Sequence, residues 1–243
     1  MSLKVIVIGG GIAGLCLAQG LKKAGIDVSV YEKGPRRADP HWLQGYQIHV
    51  NPNGAHLQEC LPPALWAKLL NNACSPSAAF QVLTEQIKTI AVVEAEFMNG
   101  SSHVPIVRTA LRQVLLEGLD DLVQFGKEFV RFEQTSSGRV AAIFSDGSAA
   151  TGHVLVGADG TGSNVRKQYL PSARVIDTGI VGAACRLPIG VRTRSRVPDH
   201  LLTRLTCYAI NLQVRSRARC GCNGQSSDLG FCVVACGVRL YRP

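Results

Sequence analysis

The chain has 243 residues, of which 46% are hydrophobic and 18% are charged. This composition is typical of a globular protein. The length suits one large domain, or one domain and an appendage. No apolar run reaches the roughly 18 residues of a membrane span and we expect no cleavable leader, so we predict a cytoplasmic protein without a membrane partner.

The formal charge of +9 is distributed unevenly along the chain. Residues 191–243 contain nine Arg, two Asp and no Lys or Glu, whereas residues 1–190 are nearly neutral. Five of the nine Cys also fall in the last 53 residues. This change in composition predicts a boundary near Gly190.

The first predicted elements form a strand–helix–strand unit. Leu3 to Ile8 is a continuous apolar run that ends at glycine, which predicts a strand buried on both faces. Apolar residues from Ile12 to Ala24 follow helical spacing, and Gly25 is suited to end that helix. Asp27 to Tyr31 is predicted to be the second strand. A length of about 30 residues is typical of a parallel βαβ unit.

Three glycines in the spacing G-x-G-x-x-G join the first strand to the helix. Gly9 permits a tight exit from the strand, Gly11 lets the backbone approach phosphates, and Gly14 lets the helix pack against the strand. The helix N-terminus adds free N–H groups and the positive end of its dipole. Glu32 closes the second strand, where a carboxylate can accept hydrogen bonds from ribose and repel a 2′-phosphate. The pattern predicts an adenine-dinucleotide site and leaves NAD and FAD both open.

The middle of the chain alternates short helices with strands. The predicted helices lie at residues 51–61, 62–70 and 108–119. The predicted strands lie at residues 78–84, 88–97, 124–134, 140–150 and 153–160, the third and fourth being paired around Ser137 and Gly138 and the last being buried.

A second motif lies in VLVGADGTGSNVRKQYL, residues 154–170. Together with the glycine turn, it resembles the flavin-dependent aromatic hydroxylases, FAD monooxygenases that include salicylate-hydroxylase-like and fungal secondary-metabolite enzymes. Their pattern G-A-D-G-x-x-S-x-V-R is matched from Gly157 to Arg166. The resemblance implies that Asp159 lies against FAD and borders the groove where NAD(P)H docks. Ser163 is predicted to cap the next helix.

The same resemblance implies three more contacts with the cofactor. Arg108, at the start of the helix over 108–119, matches an arginine that contacts FAD. Arg112 lies one turn further and is predicted either to face the same phosphates or to be a solvated helix residue. Gly45 matches a segment whose backbone lies against the cofactor.

The resemblance implies an α/β fold, with a Rossmann-like FAD-binding domain built on a parallel sheet and an incomplete β-rich substrate region. We assign residues 1–190 to this part and residues 191–243 to an Arg/Cys-rich tail of uncertain structure. The implied function is a monooxygenase that binds FAD, takes electrons transiently from NAD(P)H and uses O₂ to hydroxylate or epoxidise a small organic substrate. No catalytic side chain is identified. The alternatives are a truncated, inactive FAD-binding fragment or pseudoenzyme and, less favoured because of the Asp159 motif, a simple NAD-dependent reductase.

The remaining expectations concern activity, metal binding and nucleic-acid binding, and they come from a missing motif and from the Cys-rich and Arg-rich segments near the C-terminus. The third motif of the family, a Gly-Asp pair, is absent from the sequence, and we expect a truncated product of a longer gene with little or no activity. Cys220, Cys222, Cys232 and Cys236 lack the usual spacing of zinc ligands, so no metal site is predicted. The RSRAR segment lacks interleaved aromatic residues, so no nucleic-acid partner is predicted. The substrate and the oligomeric state stay open.

Overall fold

The computed structural model describes residues 2–36, 47–50, 55–74, 79–84, 86–94, 104–175, 194–198, 201, 205–211 and 231–236. Its strands are β1 (Lys4–Ile8), β2 (Asp27–Glu32), β3 (Gln47–Val50), β4 (Ala79–Leu83), β5 (Thr89–Glu94), β6 (Val104–Val107), β7 (Val123–Phe125), β8 (Phe129–Gln134), β9 (Val140–Phe144), β10 (Ala149–Gly152), β11 (Val154–Gly157), β12 (Leu205–Asn211) and β13 (Phe231–Cys236). Its helices are α1 (Ile12–Lys23), α2 (Ala55–Cys60), α3 (Pro63–Asn71), α4 (Arg108–Leu116) and α5 (Asn164–Tyr169).

The chain divides into two compact units, Met1–Cys74 with His103–Arg174 and Ser75–Ser102 with Val175–Pro243. The first unit contains a four-stranded sheet in the order β11-β1-β2-β7. All three strand pairs in this sheet are parallel. The α/β fold class with a parallel sheet, predicted from the βαβ pattern and the resemblance, is therefore confirmed.

Alternate side chains of β1 enter two different cores. Val5 and Val7 pack with buried residues of α1 and α4 in the first core. Ile6 and Ile8 point to the opposite face and pack against residues of the antiparallel sheet β10-β9-β8. All four side chains are buried. Since successive strand residues face opposite sides, covering both faces explains why the run is apolar throughout.

The predicted first residues of α1 and α4 agree with the structure, whereas the predicted last residue of α4 does not. Helix α1 begins after the N-cap residue Gly11, and Gly25 beyond its end has φ 72°. Helix α4 ends at Leu116, earlier than predicted, because Glu117 is extended and Gly118 has φ 69°. Leu119 is still buried, but in the following turn.

Three of the predicted strands are corrected by the structure. The segment 124–134 is split at Gly126, whose φ of 71° lets β7 join the parallel sheet while β8 joins the antiparallel one. The segment 140–150 is likewise split by Gly147, with φ 81°, into β9 and β10. The predicted pairing of β8 with β9 is confirmed. Strand β11 lies at one end of the parallel sheet among the described strands and Val154 is exposed, so the prediction that it is buried was wrong.

The second unit contains a sheet in the order β13-β12-β4-β5. Strand β4 pairs antiparallel with β5 and parallel with β12, and β12 pairs antiparallel with β13. The sequence patterns did not indicate β12 or β13. The predicted boundary near Gly190 and the RSRAR segment lie outside the described residues, so the domain limits stay a prediction. Over the ranges that the structure covers, no helix is long and apolar enough to cross a membrane.

Candidate functional site

A cavity of about 550 Å³ opens in the first unit at the carboxyl ends of β1, β2 and β11. This edge of a parallel sheet is where ligands bind in open α/β folds. The lining residues are Ile8, Gly9, Gly11, Tyr31, Glu32, Lys33, Arg108, Lys127, Glu128, Phe129, Ala158, Asp159, Gly160, Thr161, Gly162 and Asn164. Five of the eight predicted site residues, those at positions 9, 11, 32, 108 and 159, therefore meet at one cavity.

The three glycines of the turn differ in what surrounds them. Gly9 has φ 111°, and a Cβ there would lie 2.3 Å from the carbonyl oxygen of Ala158. A Cβ on Gly14 would lie 2.0 Å from the carbonyl oxygen of Gly9. No atom lies within 4 Å of the Cβ position of Gly11, which borders the cavity. Packing of the protein thus requires glycine at positions 9 and 14, whereas at position 11 it leaves space beside the helix N-terminus.

The N-terminus of α1 contributes its backbone to this cavity. Its N-cap residue is Gly11, no side chain caps its first turn, and that turn contains no acidic residue. The first N–H groups of a helix lack intrahelical partners, and the dipole places a partial positive charge there. The sequence therefore leaves this helix end suited to an anionic group such as a pyrophosphate.

Glu32 ties the end of β2 to the glycine turn. Its Oε2 accepts a hydrogen bond of 2.5 Å from the Gly10 N–H, and its Oε1 accepts one of 2.7 Å from the Gly34 N–H. The side chain is half-buried and borders the cavity. A carboxylate has about four acceptor positions, so about two are left for hydroxyl groups in the cavity.

Asp159 holds the start of α5 and presents one unpaired oxygen. Its Oδ2 accepts hydrogen bonds from the N–H groups of Asn164, at 2.8 Å, and Val165, at 3.3 Å. Ser163 caps the same helix, as predicted, by accepting from the Arg166 N–H at 2.9 Å. Oδ1 of Asp159 is buried and has no hydrogen-bond partner among the residues that the structure describes. Buried polar atoms are nearly always paired, so this oxygen fits a donor group of a bound ligand.

The two predicted arginines take different places. Arg108, the first residue of α4, lines the cavity. Arg112 is not among the lining residues, and its Nε donates a 3.0 Å hydrogen bond to the carbonyl oxygen of Gly10. Its guanidinium carbon lies 5.9 Å from the ring centroid of Phe125. Burial lowers the pKa of Arg112, and the nearby Glu32 carboxylate opposes that shift.

Gly45 lies outside the described residues. Its contact with the cofactor stays a prediction. In the part of the chain that the structure describes, no group of three or more His, Cys, Asp or Glu side chains is arranged to hold a metal ion.

The loop between β7 and β8, together with the first residue of β8, supplies site residues that the sequence patterns did not indicate. Lys127, Glu128 and Phe129 border the cavity, and the Lys127 N–H donates to the carbonyl oxygen of Glu32 at 3.0 Å. The sheet topology, and no local sequence pattern, places these residues at the cavity. Strand β7 pairs in parallel with β2 and so ends at the same edge of the sheet. Recognition of β7 as a separate parallel strand would have placed its following loop at the site.

Comparison with known proteins shows which proteins this chain is similar to. The model of an NAD(P)-binding Rossmann-like domain matches residues 7–38. The dual O-methyltransferase/FAD-dependent monooxygenase elcB of Phaeosphaeria nodorum is 32% identical over 219 residues, which is 85% of this chain. Over most of its length, the chain is therefore a homologue of proteins named FAD-dependent monooxygenases.

Solved structures show the same fold. A Photorhabdus luminescens protein assigned to the FAD-containing monooxygenases superposes with a TM-score of 0.72 at 32% identity over 86% of this chain. Klebsiella pneumoniae HpxO, solved with FAD and uric acid, superposes with a TM-score of 0.62 at 26% identity over 85% of this chain. The chain spans 23% of the length of elcB and about half of the length of these two solved chains, 53% and 50%.

Proposed function

We propose that this chain binds FAD in the cavity of its first unit and forms the dinucleotide-binding part of an FAD-dependent monooxygenase. The observation that supports this proposal most directly is that four groups lie at one cavity. They are the start of α1 at Gly11, which has no capping side chain, the Glu32 carboxylate, Asp159 with its unpaired Oδ1, and Arg108. Each supplies a donor or acceptor that a dinucleotide can pair.

The residues fit different parts of the cofactor. The N-terminus of α1 and Arg108 would hold the pyrophosphate, because both offer positive charge and N–H donors. Glu32 would accept hydrogen bonds from a ribose, and its negative charge would disfavour a 2′-phosphate at this position. Asp159 Oδ1 would accept from a donor group of the cofactor. FAD supplies electron transfer and oxygen chemistry, while these side chains bind it, orient it and limit access of water.

The reductant and the substrate belong to the same proposal. Electrons would come from NAD(P)H docking transiently near the segment that contains Asp159. The substrate would be a small organic molecule, as in the relative that was solved with uric acid. The product would be a hydroxylated or epoxidised derivative of that molecule.

A second candidate function is an FAD-binding polypeptide without turnover of its own. It is favoured by the absence of a Gly-Asp dipeptide from the 243 residues, since that pair is the third motif of the resembled family. Both candidates bind flavin at the same site, so only turnover distinguishes them.

The experiment measures NAD(P)H oxidation, hydrogen peroxide and product together. The purified chain is loaded with FAD and supplied with NADH or NADPH and a panel of small aromatic acids and purines, including salicylate and urate. Product formed in proportion to NAD(P)H consumed supports the monooxygenase. Flavin binding with no product and with NAD(P)H loss no faster than in free FAD supports the second candidate. A folded chain that never takes up flavin excludes both.

A further inference from the structure

Helices α1 and α2 approach each other closely at Gly20 and Cys60. A Cβ on Gly20 would lie 3.3 Å from Sγ of Cys60 and 3.8 Å from its Cα. Lys23, one turn beyond Gly20, donates from Nζ to the carbonyl oxygens of Glu59 at 2.6 Å and Leu61 at 3.2 Å. The small residue permits the approach, and the lysine holds the end of α2 in place.

Cys16 lies one turn before Gly20 on the same face of α1. Side chains four residues apart on a helix have Cβ atoms about 5–6 Å from each other, which brings the Cys16 side chain next to Cys60. The Cys60 side chain is near enough to the Cys16 thiol to influence its pKa. Both cysteines are half-buried and reduced in the structure.

We propose that Cys16 and Cys60 are a modification site, at which a hydroperoxide oxidises the two thiols to a reversible disulfide that joins α1 to α2. Hydrogen peroxide first converts one thiol to a sulfenic acid and is itself reduced to water. The second sulfur then attacks the sulfenic sulfur, forming the S–S bond and releasing a second water. In total, two thiols lose two electrons and two protons to one peroxide.

The surroundings indicate which thiol reacts first. Burial, reinforced by the neighbouring Cys60 side chain, raises the pKa of Cys16 to about 12. Because the thiolate is the nucleophile, Cys16 is a poor first attacker, and we expect the peroxide to oxidise Cys60 first. Cys16 would then react with the sulfenic acid on Cys60 because the two side chains are neighbours, and its raised pKa would make this second step slow. A dithiol reductant would reverse the bond by exchange.

The site stands on the packing of α1 and α2 and does not depend on flavin binding. Its consequence is local, because the bond fixes the helix behind the glycine turn to its neighbour. A cross-link of two elements in one folded unit restricts the unfolded chain. We expect the oxidised chain to melt at a temperature about 3 °C or more above that of the reduced chain.

Peptide mapping of the full-length chain tests the proposal directly. Trypsin places Cys16 in peptide 5–22, Cys60 in peptide 38–68 and Cys74 in peptide 69–88, with one cysteine in each. The reduced protein is treated with a small excess of hydrogen peroxide, blocked with an alkylating agent and digested without reductant. We expect peptides 5–22 and 38–68 to be recovered mainly as one cross-linked species, lighter than their sum by two hydrogens and separated by dithiothreitol.

Two serine variants supply the controls. Cys60→Ser should abolish the cross-linked species and the shift in melting temperature, whereas Cys74→Ser should preserve both. The proposal is overturned if peptides 5–22 and 38–68 of the wild type stay unmodified, are oxidised separately, or cross-link mainly to other cysteines while the protein is still folded.

Discussion

Gly10 donates its backbone N–H to Oε2 of Glu32 across 2.5 Å. The carbonyl oxygen of the same glycine accepts from Arg112 Nε at 3.0 Å. Both polar groups of the central turn residue are thus held by charged side chains, one at the end of β2 and one on α4. The acid expected to select the ribose therefore also shapes the turn expected to hold the pyrophosphate.

Gly14 and Gly11 should respond differently to alanine. Gly14→Ala forces a Cβ to within 2.0 Å of the Gly9 carbonyl oxygen, so we expect the free energy of unfolding to fall by about 3 kcal/mol. Gly11→Ala meets no atom within 4 Å and should leave stability nearly unchanged. It should nevertheless weaken FAD binding about tenfold, or about 1.4 kcal/mol, by filling space beside the helix N-terminus. Urea unfolding and FAD titration of both variants measure these effects, and equal stability of the two would contradict the packing account.

Glu32→Ala should weaken FAD binding by about 1–3 kcal/mol, because ribose hydroxyls lose a charged acceptor in a half-buried site. It should also lower stability, because the N–H groups of Gly10 and Gly34 lose their acceptor. Glu32→Gln keeps one acceptor oxygen and should lie between wild type and Glu32→Ala in both measurements. Unchanged FAD affinity in a folded Glu32→Ala chain would show that the carboxylate does not contact the cofactor.

Arg108 and Arg112 form a matched pair on one helix. Arg108→Gln should weaken FAD binding, since Arg108 lines the cavity. Arg112→Gln should lower the free energy of unfolding by about 1.5–3 kcal/mol, because the hydrogen bond from a charged group to Gly10 is lost. Arg112→Lys should restore little of this loss, because a lysine lacks the Nε donor at that position. A reversed pattern, with Arg112 affecting only affinity, would make it a direct ligand.

Asp146 should contribute stability that depends on pH. Hydrogen bonds from the Lys127 ammonium and then from Ser148 hold the pKa of this exposed carboxyl well below its usual range. A depressed folded-state pKa gives stability that is present above the unfolded value of about 3.9 and is lost as the pH falls below it. The melting-temperature difference between wild type and Asp146→Asn should therefore be present at pH 6 and decrease steadily as the pH falls below about 4. Asp121→Asn, another exposed position, is the control, and a difference that grows towards low pH would refute the assignment.

Local patterns predicted the parts of the fold that depend on neighbouring residues in the chain. The β1-α1-β2 unit follows from period and glycine position, and the Ser163 cap follows from its place before a helix. Strand pairing decides the position of β11 in the sheet and the splitting of 124–134 at Gly126. Such pairing joins residues that are far apart in the sequence, so no short segment predicts it. Strands β12 and β13 show no clear alternation, and the continuous apolar run of β13, FCVVAC, does not by itself distinguish a buried strand from a helical segment.

The site shows the same division between local and non-local information. Gly9, Gly11, Glu32 and Asp159 were found because each belongs to a short motif with a fixed spacing. The loop at Lys127 was not found, because its position depends on β7 joining the sheet beside β2. The contact of Arg112 with the turn depends on the packing of α4 against α1, which spacing along one helix does not reveal.

The ligand of the cavity is FAD in our proposal, and an equilibrium titration of the purified chain measures this binding directly. FAD, NAD and ADP are each added while flavin fluorescence or heat is followed, with the Gly11→Ala chain as the matched control. We predict that one FAD binds per chain and that ADP displaces it, because both share the adenosine diphosphate part. NAD should bind the chain more weakly than FAD does, and FAD should bind the Gly11→Ala variant more weakly than the wild type. A folded chain that binds NAD tightly and takes up no FAD would contradict the account.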